Sequence, residues 1–327
     1  MSRIALTLFL LLNSIPLFAQ GGYAGSSLRR TDSPAEASMS GVLNIWAGGA
    51  GILFGNPAAL TQLKQSSALF AFSFLQSPQK SFQSAIATPI DEFAGIGIGI
   101  SGYRVSDIDR RAITEQSLGF TTSQDLAVTV GGGLGIGPGS IGGSIRYLRY
   151  DLSGIDGSSW GVTLDLSGMI LFRNQLAFGV ALNNIAGSMN ASYREGLHER
   201  IPTETRLTAS YIHPLEERTV TERVDPTGTL SRRLLPPRTY ILTTGEIRYD
   251  FLGDPTVGIA LEAVPTRIAP DAGIGFRLGT NTKGDFSGGF FIETPLNLGD
   301  NPRLSFAARR EYERGEITLH MGLEVGL

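Results

Sequence analysis

The sequence has 327 residues, with 27 lysines and arginines against 30 aspartates and glutamates, and it contains no cysteine. Nearly balanced charge excludes the basic stripe that nucleic-acid binding requires. The absence of cysteine excludes disulfides, thiolate chemistry, cysteine metal sites and lipoprotein acylation. The mean hydropathy of +0.06 is too low for a bundle of membrane-spanning helices and is typical of a membrane barrel, whose strands are apolar on one face.

Residues 1–19 have the pattern of a secretory signal peptide. Arg3 supplies the positive charge, and a mostly apolar stretch follows, interrupted by Asn13, Ser14 and Pro16. A cleavage site after Ala19 would end the signal. The alternative is an uncleaved anchor helix, but the apolar run is short and broken. We therefore predict an exported protein.

Residues 41–64 do not alternate, and we predict that residues 20–66 form a short plug-like N-terminal segment. Residues 41–60 are apolar and rich in glycine, and they end in Asn-Pro-Ala-Ala-Leu. Pro57 disfavours a helical Asn56 and favours a turn. The motif Asn56, Pro57 and Ala58 is therefore either an ordinary turn before the first strand or a plug contact that shapes the barrel interior.

From about residue 67 the hydrophobic pattern has a period of two. The clearest run is 95–100, where three glycines alternate with three isoleucines. A helix would scatter those isoleucines around its circumference, so the run predicts a strand. No later segment reaches the about 18 consecutive apolar residues that a spanning helix needs. Crossing a membrane would then require a closed barrel.

The predicted fold is all-β, a transmembrane antiparallel up-and-down barrel over residues 67–327. Single-chain bacterial barrels have an even number of strands. We predict about 14 strands, with 114–136 forming one long or bent strand, while 12 and 16 remain open. Two connections are long, 186–204 and 214–237; the second is either a solvated loop or a contact surface for a partner.

Charged residues within the predicted strands share a face opposite the large apolar side chains. An arginine or lysine facing lipid costs roughly 2–4 kcal/mol near the midplane, so this face should be the lumen. The neighbouring positions are rich in small residues, which leave space inside the barrel. We expect an ion-pair network that braces the barrel rather than a catalytic site. The predicted lumen-facing residues are Arg146, Asp165, Arg206, Glu246, Arg248, Glu262, Arg277, Glu293, Arg303, Arg309 and Glu324.

Catalytic and metal-binding patterns are not found in the sequence. The three histidines, His198, His213 and His320, are far apart and have no clustered carboxylates, which disfavours a metal site. A barrel lipase would need a serine and a histidine on adjacent strands; His320 with a lumenal serine is conceivable. We predict a protein that is not an enzyme and has no cofactor and no metal.

The Asn56-Pro57-Ala58 motif, after an apolar glycine-rich run and before a barrel strand, resembles the N-terminal region of the PorV/PorQ family. That family is part of the FadL-like outer-membrane barrels. The resemblance implies a 14-stranded barrel with an N-terminal segment in the lumen. It also implies either passage of hydrophobic compounds or a role in type IX protein secretion.

Two functions follow as expectations. The first is a docking or structural component for protein export or surface attachment, with secretion-system or exported proteins as partners. The alternative is a FadL-like conduit for small hydrophobic molecules, for which Phe291 on the inner face is a pointer. Either would place the chain in the lipid of the outer membrane of a Gram-negative-type bacterium, without nucleic acid as a partner.

Overall fold

The computed structural model describes residues 33–46, 49–74, 78–111, 116–153, 158–172, 175–191, 198–216, 218–223, 230–235, 238–250, 255–269, 272–294, 302–312 and 315–327. The predicted signal peptide lies outside these residues. Among them, no helix is long and apolar enough to cross a membrane.

Three short helical turns precede a long series of strands. The turns are the α-helix α1 (Pro34–Ala37) and the 3-10 helices η1 (Ala50–Phe54) and η2 (Pro57–Gln62). The strands are β1 (Ser67–Phe74), β2 (Gln79–Pro89), β3 (Ala94–Arg111), β4 (Ser117–Ile136), β5 (Gly139–Leu152), β6 (Ser158–Phe172), β7 (Leu176–Ala191), β8 (His198–Arg200), β9 (Glu204–Pro214), β10 (Arg218–Arg223), β11 (Leu230–Leu235), β12 (Tyr240–Tyr249), β13 (Thr256–Ala269), β14 (Ala272–Asn281), β15 (Phe286–Glu293), β16 (Arg303–Glu311) and β17 (Glu316–Gly326).

Fourteen of these strands form a closed antiparallel barrel. Consecutive strands pair from β1 to β7, then β7 pairs with β9, β9 with β12, and β12 to β17 continue in order. The ring closes because β17 pairs with β1, with Ser67 opposite Gly326. The predicted fold and strand number are confirmed. Closure gives each of the fourteen barrel strands a neighbour on both sides, which is what a sheet needs in lipid.

The alternation of the sequence becomes an outward apolar face and an inward small or polar face. Phe72 and Ile98 point outward and are each 54% exposed, whereas Ala71 on the inward face is 1% exposed. Large apolar side chains without protein neighbours form the lipid-facing band of a membrane barrel. Because the strand number is even, β1 begins and β17 ends at the same end. We call this the terminal end and the opposite one the distal end.

Strand β7 is longer than the sequence predicts. Its pairing with β6 shifts register twice, between Val162 and Leu166, and Asn184 and Ala186 have positive φ values of 59° and 53°. These β-bulges insert extra residues and break the alternation, so a loop was expected from Ala186 onward. That prediction is wrong: β7 continues to Ala191. His198, which was also placed in a loop, belongs to β8.

The connection between β9 and β12 lies at the terminal end, because β9 runs toward that end and β12 runs away from it. It spans the long charged stretch 214–237 and contains the separate two-stranded sheet of β10 and β11. Bacterial barrels usually keep short turns at one end and long loops at the other. The other terminal-end connections are shorter; β4 and β5, for example, are joined by Gly137 and Pro138 alone.

Candidate functional site

Residues 33–46 and 49–66, which we call the inner segment, pack against the inward face of the barrel wall. Their contacts reach around the ring, from Pro34 beside Gly322 of β17 to Leu60 beside Gly95 of β3. Most of these residues are buried, including Ile45, Leu53 and others that are buried fully. The space that the small inward residues leave is therefore filled by this segment.

Inward glycines make room for the inner segment. A Cβ built on Gly142 would lie 2.3 Å from the Ala58 backbone nitrogen, and one on Gly133 would lie 2.6 Å from the Pro57 carbonyl oxygen. On the opposite wall, a Cβ on Gly279 would lie 2.3 Å from the Met39 carbonyl carbon. Because the obstructing atoms are backbone, these positions tolerate no side chain unless the segment moves.

The Asn56-Pro57-Ala58 motif lies at the start of η2. Pro57 is its first residue, as expected for a residue with a fixed φ and no N–H. The Ala58 N–H donates to the Ser167 hydroxyl at 2.9 Å, and its carbonyl accepts from Ser140 at 2.9 Å. Asn56 is 1% exposed, and no hydrogen bond is described for its side chain. The motif thus contacts the wall at β5 and β6.

A charged cluster on β9 and β12 binds the other part of the inner segment. Arg206 and Arg248 both donate to the Gly41 carbonyl, at 2.6 and 2.5 Å, and both pair with Glu246, at 2.9 and 3.3 Å. Glu246 also accepts from the Leu43 N–H at 3.0 Å. One carboxylate and two guanidiniums therefore satisfy backbone groups of the turn at 41–43.

Glu36 of α1 lies near the same cluster, 3.9 Å from Arg206. Burial raises the pKa of Glu36 above its ordinary value, while Arg206 acts in the opposite direction. At the adjacent wall, Ser40 and Ser287 hydroxyls lie 2.9 Å apart, and the Ser40 N–H donates to Ser287 at 2.6 Å. Sequence reasoning missed these serines, since a lone hydroxyl on a small-residue face carries no pattern.

A second charged cluster lies on β12 to β16. Arg277 pairs with Glu262 at 2.6 Å, and Arg303 pairs with Glu293 at 2.6 Å. Phe291 is fully buried, and the two guanidiniums lie over its ring, 4.3 and 4.4 Å from the ring centroid. Phe291 therefore does not line an open apolar path in this structure, contrary to the expectation.

The remaining predicted lumenal charges also lie on the inward face. Arg146 pairs with Asp165 at 3.1 Å, and Asp165 accepts from the N–H of Asn184 in the β7 bulge at 2.8 Å. Arg309 pairs with Asp285 at 2.7 Å. Glu324 packs against the backbone of Gly49, where a Cβ could not fit. The sequence analysis missed two of the charged partners, Asp285 and Arg267, the second of which pairs with Glu293. Asp285 lies just before β15, and Arg267 lies at a bulge in β13, so neither follows the alternation.

A cavity of about 50 Å³ lies between α1 and the wall, lined among others by Glu36, Asn44, Arg303 and Glu324. It has room for water and is smaller than an engineered cavity of about 150 Å³ that binds benzene. Among the described residues, no group of three or more histidines and carboxylates could hold a metal ion.

An apolar cluster covers the inward face on the distal side of Arg146. It consists of Ala127, Leu148, Met189 and Ile201, each at most 5% exposed, with Tyr150 packed against them. Leu148 and Tyr150 follow Arg146 on β5 in the inward phase. We call these five residues the distal cluster. The cluster is buried inside the barrel, on the distal side of the ion pair between Arg146 and Asp165.

His320 is buried on the inward face with two hydroxyl partners. Its Nδ1 lies 2.6 Å from the Ser73 hydroxyl on β1, and its Nε2 lies 2.9 Å from Thr318. Ser73 is 1% and His320 5% exposed. In this arrangement no substrate carbonyl can reach the serine oxygen, so the contact stabilises the β1–β17 seam.

Comparison with known proteins identifies the fold. No protein-family model matches the sequence, and no curated protein matches it. Among solved structures, the CymD monoaromatic hydrocarbon channel matches with a TM-score of 0.55 and 12% identity, covering 90% of this chain and 97% of that one. The toluene transporter TodX of Pseudomonas putida matches with a TM-score of 0.56 and 9% identity, covering 89% and 97%.

The fold therefore defines the class: a closed 14-stranded antiparallel β-barrel similar to the outer-membrane barrels of CymD and TodX. CymD is named as a monoaromatic hydrocarbon channel and TodX as a toluene transporter. Neither name refers to protein secretion, so the PorV/PorQ resemblance stays a hypothesis.

Proposed function

We propose that this protein is an outer-membrane conduit for small hydrophobic molecules. The observation that carries the proposal is the closed 14-stranded barrel with its apolar outer face, a fold similar to those of the CymD and TodX structures. The distal cluster supplies apolar side chains inside this barrel, but they are at most 5% exposed, so a solute would reach Leu148, Met189 and Ile201 only after neighbouring residues move. Monoaromatic hydrocarbons are the first substrates to test, because the similar barrels are named for them.

The inner segment acts as the plug of this conduit, with Asn56-Pro57-Ala58 as its contact to β5 and β6. The cavity beside α1 is small, and we infer that the inner segment moves when a solute passes. The cluster around Glu246 anchors the segment through the backbone of Gly41 and Leu43 and an ion pair with Glu36, and the Asn44 side chain donates to Glu262 at 3.4 Å. They are bracing contacts and supply no chemistry to the solute. Because the Asn56-Pro57-Ala58 motif resembles the PorV/PorQ family, docking in protein export is the competing hypothesis.

Uptake of radiolabelled toluene by cells that lack the gene tests the proposal. Complementation with the wild type should restore uptake, and Leu148→Asn should lower it about tenfold, because a polar side chain of similar volume replaces an apolar one in the distal cluster. Leu148→Met is the matched control, since it conserves volume and apolar character. Barrel assembly is checked for each variant by heat-modifiable migration in a gel.

The same cells are treated with a crosslinker in the native membrane. Uptake that is independent of the gene, together with capture of a component of protein export, would reject the conduit and favour docking. Restored uptake with the Leu148→Asn loss would support the conduit.

A further inference from the structure

Two cations lie directly opposite each other on the outer face of the barrel. Lys80 of β2 and Arg104 of β3 are register partners near the distal end. Both are exposed, and Lys80 lies opposite the outward-facing Phe74 of β1. Side chains directly opposite on antiparallel strands have Cβ atoms about 5 Å apart. We call Lys80 and Arg104 the cation pair.

Among the described residues, no ion pair neutralises this cation pair. The nearest outward arginine of β5, Arg149, is compensated by Asp151 at 2.9 Å. Like charges directly opposite destabilise a sheet. Because no described carboxylate neutralises it, the cation pair is expected to bind an anion from outside the protein.

The surface on the terminal side of the cation pair is apolar and aromatic. One row nearer the middle of the barrel, Phe72 faces outward and is 54% exposed, and it pairs with Phe82. The Phe82 ring lies over Gly102, where a Cβ would be 2.2 Å from the ring. Trp160 lies further along on β6, opposite Arg149, and is 47% exposed. Aromatic girdles of this kind mark the membrane interface of barrels.

We propose that the cation pair binds the phosphate of an anionic lipid headgroup. The phosphate oxygens would contact Lys80 and Arg104, while the acyl chains would lie along Phe72 and Phe82. Basic residues at a membrane surface attract anionic lipids in this way, and arginine matches phosphate geometry. A lipid is favoured over free phosphate because the site faces outward, directly above the apolar band. The inference rests on the barrel spanning a membrane and not on the solute that it conducts.

Native mass spectrometry of the full-length protein in detergent tests the site. The probes are diphosphoryl lipid A, phosphatidylcholine as the lipid without net charge, and inorganic phosphate. The wild type should retain lipid A in preference to phosphatidylcholine. The double variant Lys80→Gln/Arg104→Gln should lower the retained lipid A by about tenfold or more, because each cation contributes to headgroup attraction. Because Lys80 and Arg104 are exposed and lie near the rim, the double variant should fold as the wild type does. Heat-modifiable migration in a gel checks that it does.

Two controls complete the design. Arg310→Gln removes an exposed cation of β16 near the same end whose register partners are Phe286 and Ile317, and it should change nothing. The charge-conserving swap Lys80→Arg/Arg104→Lys should retain the lipid. Equal lipid A retention by wild type and the double glutamine variant would overturn the site. Equal binding of inorganic phosphate and lipid A would overturn the lipid assignment.

Discussion

Substitution of Gly142 by alanine is the sharpest test of how the inner segment fits the barrel. The new Cβ would lie 2.3 Å from the Ala58 nitrogen, and ordinary Cβ contacts begin near 3.4 Å. The start of η2 must therefore move away from β5 by about 1 Å. That movement disrupts the 2.9 Å hydrogen bonds of Ala58 with Ser140 and Ser167. Overpacking of this kind costs about 1–3 kcal/mol.

The assay uses the absence of cysteine in the sequence. A single cysteine at Ala59, which is 1% exposed, is labelled with a water-soluble maleimide in wild-type and Gly142→Ala backgrounds. A cost of about 1–3 kcal/mol raises the accessible fraction roughly 5- to 150-fold. The control is Gly245→Ala, where a Cβ meets nothing within 4 Å. If the cysteine in the Gly142→Ala variant is labelled no faster than in the Gly245→Ala control, η2 does not pack tightly against Gly142.

Three further substitutions test the charged groups. Arg206→Gln leaves Glu246 buried with one fewer partner and should cost about 3–5 kcal/mol in urea unfolding; a loss below 1 kcal/mol would contradict the anchoring role. Asp165→Asn leaves Arg146 unpaired and should speed hydrogen exchange of the β7 bulge, whereas unchanged exchange there would count against it. Burial raises the pKa of Glu36, so the folded state retains its proton longer than the unfolded state. The stability that protonation provides is then lost as pH rises from the ordinary glutamate pKa of 4.5 through the raised pKa of Glu36. Glu36→Gln should therefore unfold at an increasingly higher temperature than wild type over that range, and a constant difference would disprove the shift.

The barrel could be predicted from the sequence because its cause is local and periodic. A glycine–isoleucine alternation such as 95–100 places one face toward lipid whatever the rest of the chain does. The phase of charges such as Arg146 and Glu262 follows from the cost of a charge in lipid. These signals need no knowledge of which strands pair.

The contacts of the interior could not be predicted in the same way. Ser40 meets Ser287 across 247 positions of sequence, and no local pattern joins them. The bulges at Asn184 and Ala186 interrupt the alternation, so the sequence predicted a loop where β7 continues. The contact of Phe291 with Arg277 and Arg303 depends on how their three neighbouring strands are aligned, which the alternation does not give. Which charged residues form ion pairs depends on the register between neighbouring strands. That register is set when the whole barrel closes.

A disulfide that fixes the inner segment tests the central claim, that this segment must move for a solute to pass. Ser40 and Ser287 hydroxyl oxygens lie 2.9 Å apart, so Ser40→Cys/Ser287→Cys places two sulfurs within reach of each other, and the sequence contains no other cysteine. Toluene uptake is measured in cells before and after reduction, with Ser40→Cys alone as the control. The account predicts no uptake when the pair is oxidised and recovery on reduction. Equal uptake in both states would contradict it.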